Sequence, residues 1–137
     1  MFNYIFCPTD IPISIPKEMA SFKCLILIER EVADGHRNEV SKTLVNAGCL
    51  FAMAWGFECS EWDDSVDWAF LEHYNFGEYP EEKFVMTTWH DDDTLEETVT
   101  FAKHCAQYSD VQLDNTLVLD FGKHERGDYI ENLYLRV

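Results

Sequence analysis

Apolar residues fall along the chain in short unbroken runs, and the stretches between the runs carry apolar residues at helical spacing. Phe22 to Glu29 (FKCLILIE) is short and rich in β-type residues, which predicts a buried strand. Asp34 can cap a helix running to about Ala47, with Val40, Leu44 and Ala47 inward and Gly48 as its left-handed stop. Leu50 to Gly56 (LFAMAWG) reads as a second buried strand. Ser60, with Asp63 three residues on, opens a second helix. Its core stripe is Trp62, Val66, Ala69, Phe70 and His73, and Gly77 and Pro80 end it. Lys83 to Trp89 (KFVMTTW) is a third strand. Thr94 and Glu97 form a capping box for a third helix that turns Leu95, Val99, Ala102 and Ala106 inward. Thr116 to Phe121 (TLVLDF) is a fourth strand. The turn at 122–128 leads to Tyr129–Val137, which alternates as a fifth strand, hairpin-paired and antiparallel to the fourth. Residues 1–21 hold Pro8, Pro12 and Pro16 in a loose alternation, the pattern of an extended arm with at most a short edge strand.

Strands alternating with helices predict right-handed crossovers and a parallel sheet. The expected architecture is one α/β domain over residues 1–137: a three-layer sandwich with a mostly parallel five-stranded sheet, connected βαβαβαββ. The expected strand order is the flavodoxin-like 2-1-3-4-5, with the last strand antiparallel. Leu25, Leu27, Phe51, Met53, Val85, Leu117 and Leu119 should be buried. Likeness at the level of fold carries no activity.

Composition sharpens this picture mainly through charge. Net charge is −16, and it is uneven: residues 58–97 hold 14 acids and one base, Lys83, against 12 acids and 9 bases elsewhere. A field of that sign repels nucleic acid and anionic membranes, attracts basic protein surfaces or cations, and also serves plain solubility. No apolar run reaches the ~20 residues of a membrane helix, and the N-terminus lacks the basic region of a secretory signal. Five cysteines without a C-x-x-C pair fit a reducing cytoplasm.

The chain carries no G-x-G-x-x-G, no Walker loop and no G-x-S-x-G elbow, and its histidines lack zinc-ligand spacing. No cofactor is expected. At the carboxyl ends of the strands, where open α/β sheets bind ligands, Glu29, His90, Asp91 and Asp120 are the candidates for catalysis. Asp91, Asp92 and Asp93 are weak candidates for a hard cation, though acids at a helix start also serve the macrodipole.

The second helix carries a different signal. With Trp62 at zero and ~100° per residue, Trp68 and Leu71 land opposite the core stripe, among Glu61, Asp64 and Asp67. An aromatic ringed by charge is how interfaces concentrate affinity, unless the N-terminal arm covers it. Two classes of function therefore compete. The first is a non-catalytic acidic protein, of the immunity or inhibitor type, that docks a basic partner through Glu61, Asp64, Asp67, Trp68 and Leu71. The second is a small Mg-type enzyme at the strand rim, using His90, Asp91, Asp120 and Glu29. A homo-oligomer built on Trp68 or an edge strand is a third possibility.

Overall fold

The computed structural model describes residues 1–109 and 111–137. The strands are β1 (Phe2–Phe6), β2 (Phe22–Ile28), β3 (Cys49–Gly56), β4 (Met86–His90) and β5 (Asn115–Phe121). The helices are α1 (Asp34–Ala47), α2 (Cys59–His73), α3 (Leu95–His104) and α4 (Gly127–Arg136). The protein is α/β, with a five-stranded sheet in the order β1-β5-β2-β3-β4 in which every pairing is parallel. All seven residues expected in the core are buried: six lie in β2, β3 and β5, where helices cover the sheet and favour near-continuous apolar runs, and Val85 directly precedes β4. Along β2, Phe22, Cys24, Ile26 and Ile28 join Val40, Leu44, Trp62 and Val66 of α1 and α2. Leu25 and Leu27 alternate to the other face and join Val99 and Ala102 of α3 and Ile130 and Leu133 of α4.

Two expectations about topology are corrected. Residues 127–136 form a helix and not an antiparallel strand. Ile130, Leu133, Tyr134 and Val137 recur at spacings of 3, 4 and 7, the period of a helix; Ile130 and Leu133 are buried, while Tyr129 and Leu135 are exposed. The place beside β5 belongs to β1, the expected arm, in parallel register from Phe2 opposite Thr116 to Phe6 opposite Asp120. The strand order also differs from 2-1-3-4-5. The Phe22 strand lies between β3 and β5, and the strand at Met86–His90 is at the far edge. The chain winds outward from β2 through β3 to β4, then returns past β2 to β5.

Details of the helices follow local chemistry. The Thr94–Glu97 capping box is present with both of its bonds, at 3.1 and 2.9 Å. Asp34 does not cap α1 with its side chain; Asp10, from the segment after β1, accepts the Ala33 N–H at 3.1 Å. In α2, His73 is exposed and not on the core stripe, whereas Asp63 and Ser65 are buried. Ser65 is satisfied by Ser41 at 2.8 Å and Asn38 at 2.9 Å, which stitches α2 to α1. Gly56 ends β3 at φ +104°, where a Cβ would collide with the Ile28 carbonyl oxygen.

The carboxyl end of β5 is tied by a buried charge. Asp120 is 0 % exposed. Tyr4 donates its hydroxyl to Asp120 Oδ2 at 2.6 Å, and Arg126 donates Nε to Oδ2 at 2.9 Å and Nη2 to Oδ1 at 3.1 Å. Arg126 also pairs with Glu29 after β2, and its backbone N–H donates to the Tyr4 hydroxyl. Removing one partner of a buried ion pair leaves an uncompensated charge. Arg126→Met is expected to lower unfolding free energy by about 3–5 kcal/mol in urea titration, and Tyr4→Phe by about 1.5–3 kcal/mol. A loss below ~1 kcal/mol for Arg126→Met contradicts the pairing.

Candidate functional site

Winding reverses between β2 and β5, and the carboxyl ends of strands at such a point form the usual ligand crevice of open α/β sheets. Here the protein's own side chains occupy that position. Besides the Asp120–Arg126–Tyr4 cluster, Arg30 reaches across it, donating to Asp10 Oδ1 at 2.8 Å and to the Cys7 carbonyl at 2.9 Å. Desolvation pushes the Asp10 carboxyl up, but the Ala33 N–H and Arg30 outweigh it and hold it below its ordinary range. Burial raises the Tyr4 hydroxyl first, and its bond to Asp120 raises it further.

Of the rim residues named for catalysis, Glu29 and Asp120 come together, both on Arg126. His90 and Asp91 lie at the end of β4, separated from β5 by β2 and β3. At roughly 4.8 Å per strand, that puts His90 roughly 14 Å from Asp120. The four do not converge. His90 Nδ1 lies 2.7 Å from Asp93 Oδ2, and Nε2 lies 2.9 Å from Thr88 Oγ1. Trp55 donates its indole N–H to the Asp93 carbonyl at 2.8 Å. Asp93 thus anchors its own loop, while Asp91 and Asp92 are exposed. Burial pushes the Cys59 thiol up, as does the charge of Asp91, so the thiolate is disfavoured despite its place at the start of α2.

The exposed chemistry lies on α2. Trp68 is 62 % exposed, and the N-terminal segment does not cover it, since β1 is at the opposite edge of the sheet. The end of α2 brings a second aromatic to it. Asn75 N–H donates to the Glu72 carbonyl and Phe76 N–H to the Leu71 carbonyl, a Schellman closure with both residues at positive φ. That turn sets the 60 % exposed Phe76 edge-on against Trp68, centroids 5.6 Å apart. Glu61 and Asp64 are exposed around the pair, and Leu71 is partly so. A groove of about 430 Å³ with Lys42, Asp64 and Trp68 in its lining runs between α1 and α2. Another of about 380 Å³, with Asp67, Leu71 and Met86, opens toward β4. β4 is an edge strand, and it leaves Met86 and Trp89 in solvent.

Between α2 and β4 sits a carboxylate that the sequence did not single out. Asp63 is 7 % exposed, and its Oδ1 has no hydrogen-bond partner among the described residues. Carboxylate oxygens of Asp63, Asp64 and Asp67 all lie within 4.8 Å of one another. Thr87 of β4 donates to Asp67 Oδ1 at 2.8 Å. Burial raises the pKa of both Asp63 and Asp67; the charge of Asp67 adds to the effect on Asp63, and Thr87 works against it. On the helical wheel Asp63 lies only ~20° from Phe70, so the signal was available. Its position three residues after Ser60 suggested a capping role instead, but the N-cap of α2 is Glu58, with no side-chain cap.

Fold and site together define a parallel α/β domain whose switch-point crevice is filled by its own ion pairs and whose exposed chemistry is an acidic, aromatic helix face. Over residues 2–137 the chain matches the family described as Domain of unknown function (DUF7684), and it belongs to that family. No curated protein and no solved structure matches it. Among the described residues, no helix is long and apolar enough to cross a membrane.

The raised carboxyls have a consequence for stability. As pH rises above the ordinary value of 3.8, the unfolded chain ionises Asp63 and Asp67 before the folded chain does. The folded state then holds more protons, so their contribution to stability falls with rising pH until the folded carboxyls ionise too. In buffer free of divalent cations, Asp63→Asn should melt higher than wild type at pH 7, with the gap closing toward pH 4. An Asp63→Asn melting temperature below wild type at pH 7 would falsify this account.

Proposed function

We propose that the chain is a non-catalytic binding protein whose α2 face and adjoining β4 edge dock a basic partner protein, as an immunity-type or inhibitor protein does. The observation that carries this is Trp68, exposed with Phe76 against it, on a helix whose neighbouring surface carries Glu61 and Asp64 in the groove toward α1 and Asp67 in the groove toward β4. Large aromatics beside open grooves supply hot-spot affinity, and the surrounding acid supplies encounter rate. The partner is basic because residues 58–97 carry 14 acids and one base. The same count disfavours a symmetric pairing of two copies through this face, since an isologous contact sets acid against acid. The enzyme alternative draws less support, because its four rim residues do not converge. The unpaired cysteines suit a reducing cytoplasm.

Affinity capture from native lysate at low and high salt tests the proposal. The expected partner is basic, is released by salt, and dissociates on the order of thirtyfold faster from Trp68→Ala, about 2 kcal/mol. Glu61→Gln with Asp64→Asn should slow association and flatten its salt dependence while leaving dissociation nearly unchanged. Retention of the same partner by Trp68→Ala with an unaltered off-rate sinks the docking face. A salt-insensitive dimer lost on Met86→Lys would assign the edge to self-association instead.

A further inference from the structure

Two aspartates on opposite sides of this fold are buried, and they are treated differently. Asp120 receives three donated hydrogen bonds from Tyr4 and Arg126. Asp63 keeps Oδ1 shut from water with no partner among the described residues; the charges acting on the carboxyl are those of Asp67 and Asp64, both negative, and Thr87 offsets them only in part. A buried carboxylate oxygen without a donor costs more than a neutral orphaned group does. An acidic cluster on a surface is ordinary; a cluster with one member sunk and unsatisfied between a helix and a strand is not.

We propose that Asp63, Asp64 and Asp67 form a binding site for a hard divalent cation, Ca²⁺ in preference to Mg²⁺. Positions i, i+1 and i+4 of one helix bring one carboxylate oxygen from each to within 4.8 Å of the others. Oxygens bound at roughly 2.3–2.6 Å to one Ca²⁺ lie no more than ~4.6–5.2 Å apart, so a spacing within 4.8 Å is compatible with one shared ion. The ion enters from the exposed side past Asp64, Asp63 receives the positive partner it lacks, and water completes the shell. Thr87 holds Asp67 from β4 and fixes which oxygen is free. An all-oxygen donor set selects against zinc and copper. Mg²⁺ gives up water reluctantly, demands near-ideal octahedral geometry and usually takes only one or two carboxylates, whereas Ca²⁺ accepts several in an irregular shell. The site shares Asp64 and Asp67 with the proposed docking face, but it is measured on the isolated chain, so its failure and the failure of docking are read separately.

Calorimetric titration of the chelator-stripped protein with CaCl₂, and separately with MgCl₂, decides the matter. Expected is one Ca²⁺ per chain, with Mg²⁺ binding at least tenfold weaker. Asp63→Asn and Asp67→Asn should each weaken Ca²⁺ at least tenfold, while Asp92→Asn in the neighbouring acid run leaves it unchanged. If Asp63→Asn fails to fold, exposed Asp64→Asn carries the test: several-fold weaker binding, restored by Asp64→Glu. The proposal is overturned if Asp92→Asn weakens binding as much as Asp64→Asn, since the ion is then held by diffuse charge. It is equally overturned if Ca²⁺ leaves the melting temperatures of wild type and Asp63→Asn alike unmoved, for Asp63 is then simply a buried acid.

Discussion

A carboxylate with no access to water organises the carboxyl end of this sheet. Asp120 ends β5 fully buried, and an ion there is tolerable only with a full set of donors. Those donors come from opposite ends of the chain, Tyr4 on β1 and Arg126 at the start of α4. The first strand must therefore lie beside β5, and the last helix must begin where its guanidinium reaches both Asp120 and Glu29. One charge thus fixes both termini of the fold and fills the crevice where the winding reverses.

Filling that crevice shifts the available chemistry to the other edge of the sheet. There α2 lies beside β4, and Thr87 donates to the acid Asp67 across the seam. Satisfied charge at the switch point and unsatisfied charge at the β4 edge are two outcomes of the same rule, that buried carboxylates need donors or cations. At β5 the chain supplies them internally. At α2 it leaves Oδ1 of Asp63 open.

The parallel class and the seven core residues were legible because continuous apolar runs separated by amphipathic stretches admit few arrangements. The exposed face of α2 was legible for the same reason: a helical wheel placed Trp68 and Leu71 away from Trp62 and Val66. Strand order was not, since the pattern within a strand says nothing of its neighbours; the tie from Tyr4 to Asp120 spans 116 residues. Tyr129–Val137 could be misread because Tyr129, Leu133, Leu135 and Val137 satisfy a period of two as well as Ile130, Leu133 and Tyr134 satisfy 3.6. Burial of Asp63 went unseen because its spacing from Ser60 matches a capping box, a role that α2 does not use, although the helical wheel sets it ~20° from Phe70.

The proposed basic partner and the proposed divalent cation would meet the same acids, and physical chemistry relates them. Asp64 lines the groove beside Trp68 and also belongs to the cluster with Asp63 and Asp67. A bound Ca²⁺ removes two charges from the centre of the field that steers a cationic surface, so encounter becomes slower and less salt-dependent. Yet it leaves Trp68 and Phe76, one helical turn and a Schellman closure away, in the same exposed pairing. Since steering acts on association and aromatic burial on dissociation, an ion at Asp63 would tune how fast the proposed partner arrives without changing how long it stays. An ammonium from the partner's own lysine is the alternative occupant of the notch, and it is a compact cation with three donors aimed at oxygen. In that case ion and partner exclude one another, and the coupling between them is negative and reciprocal.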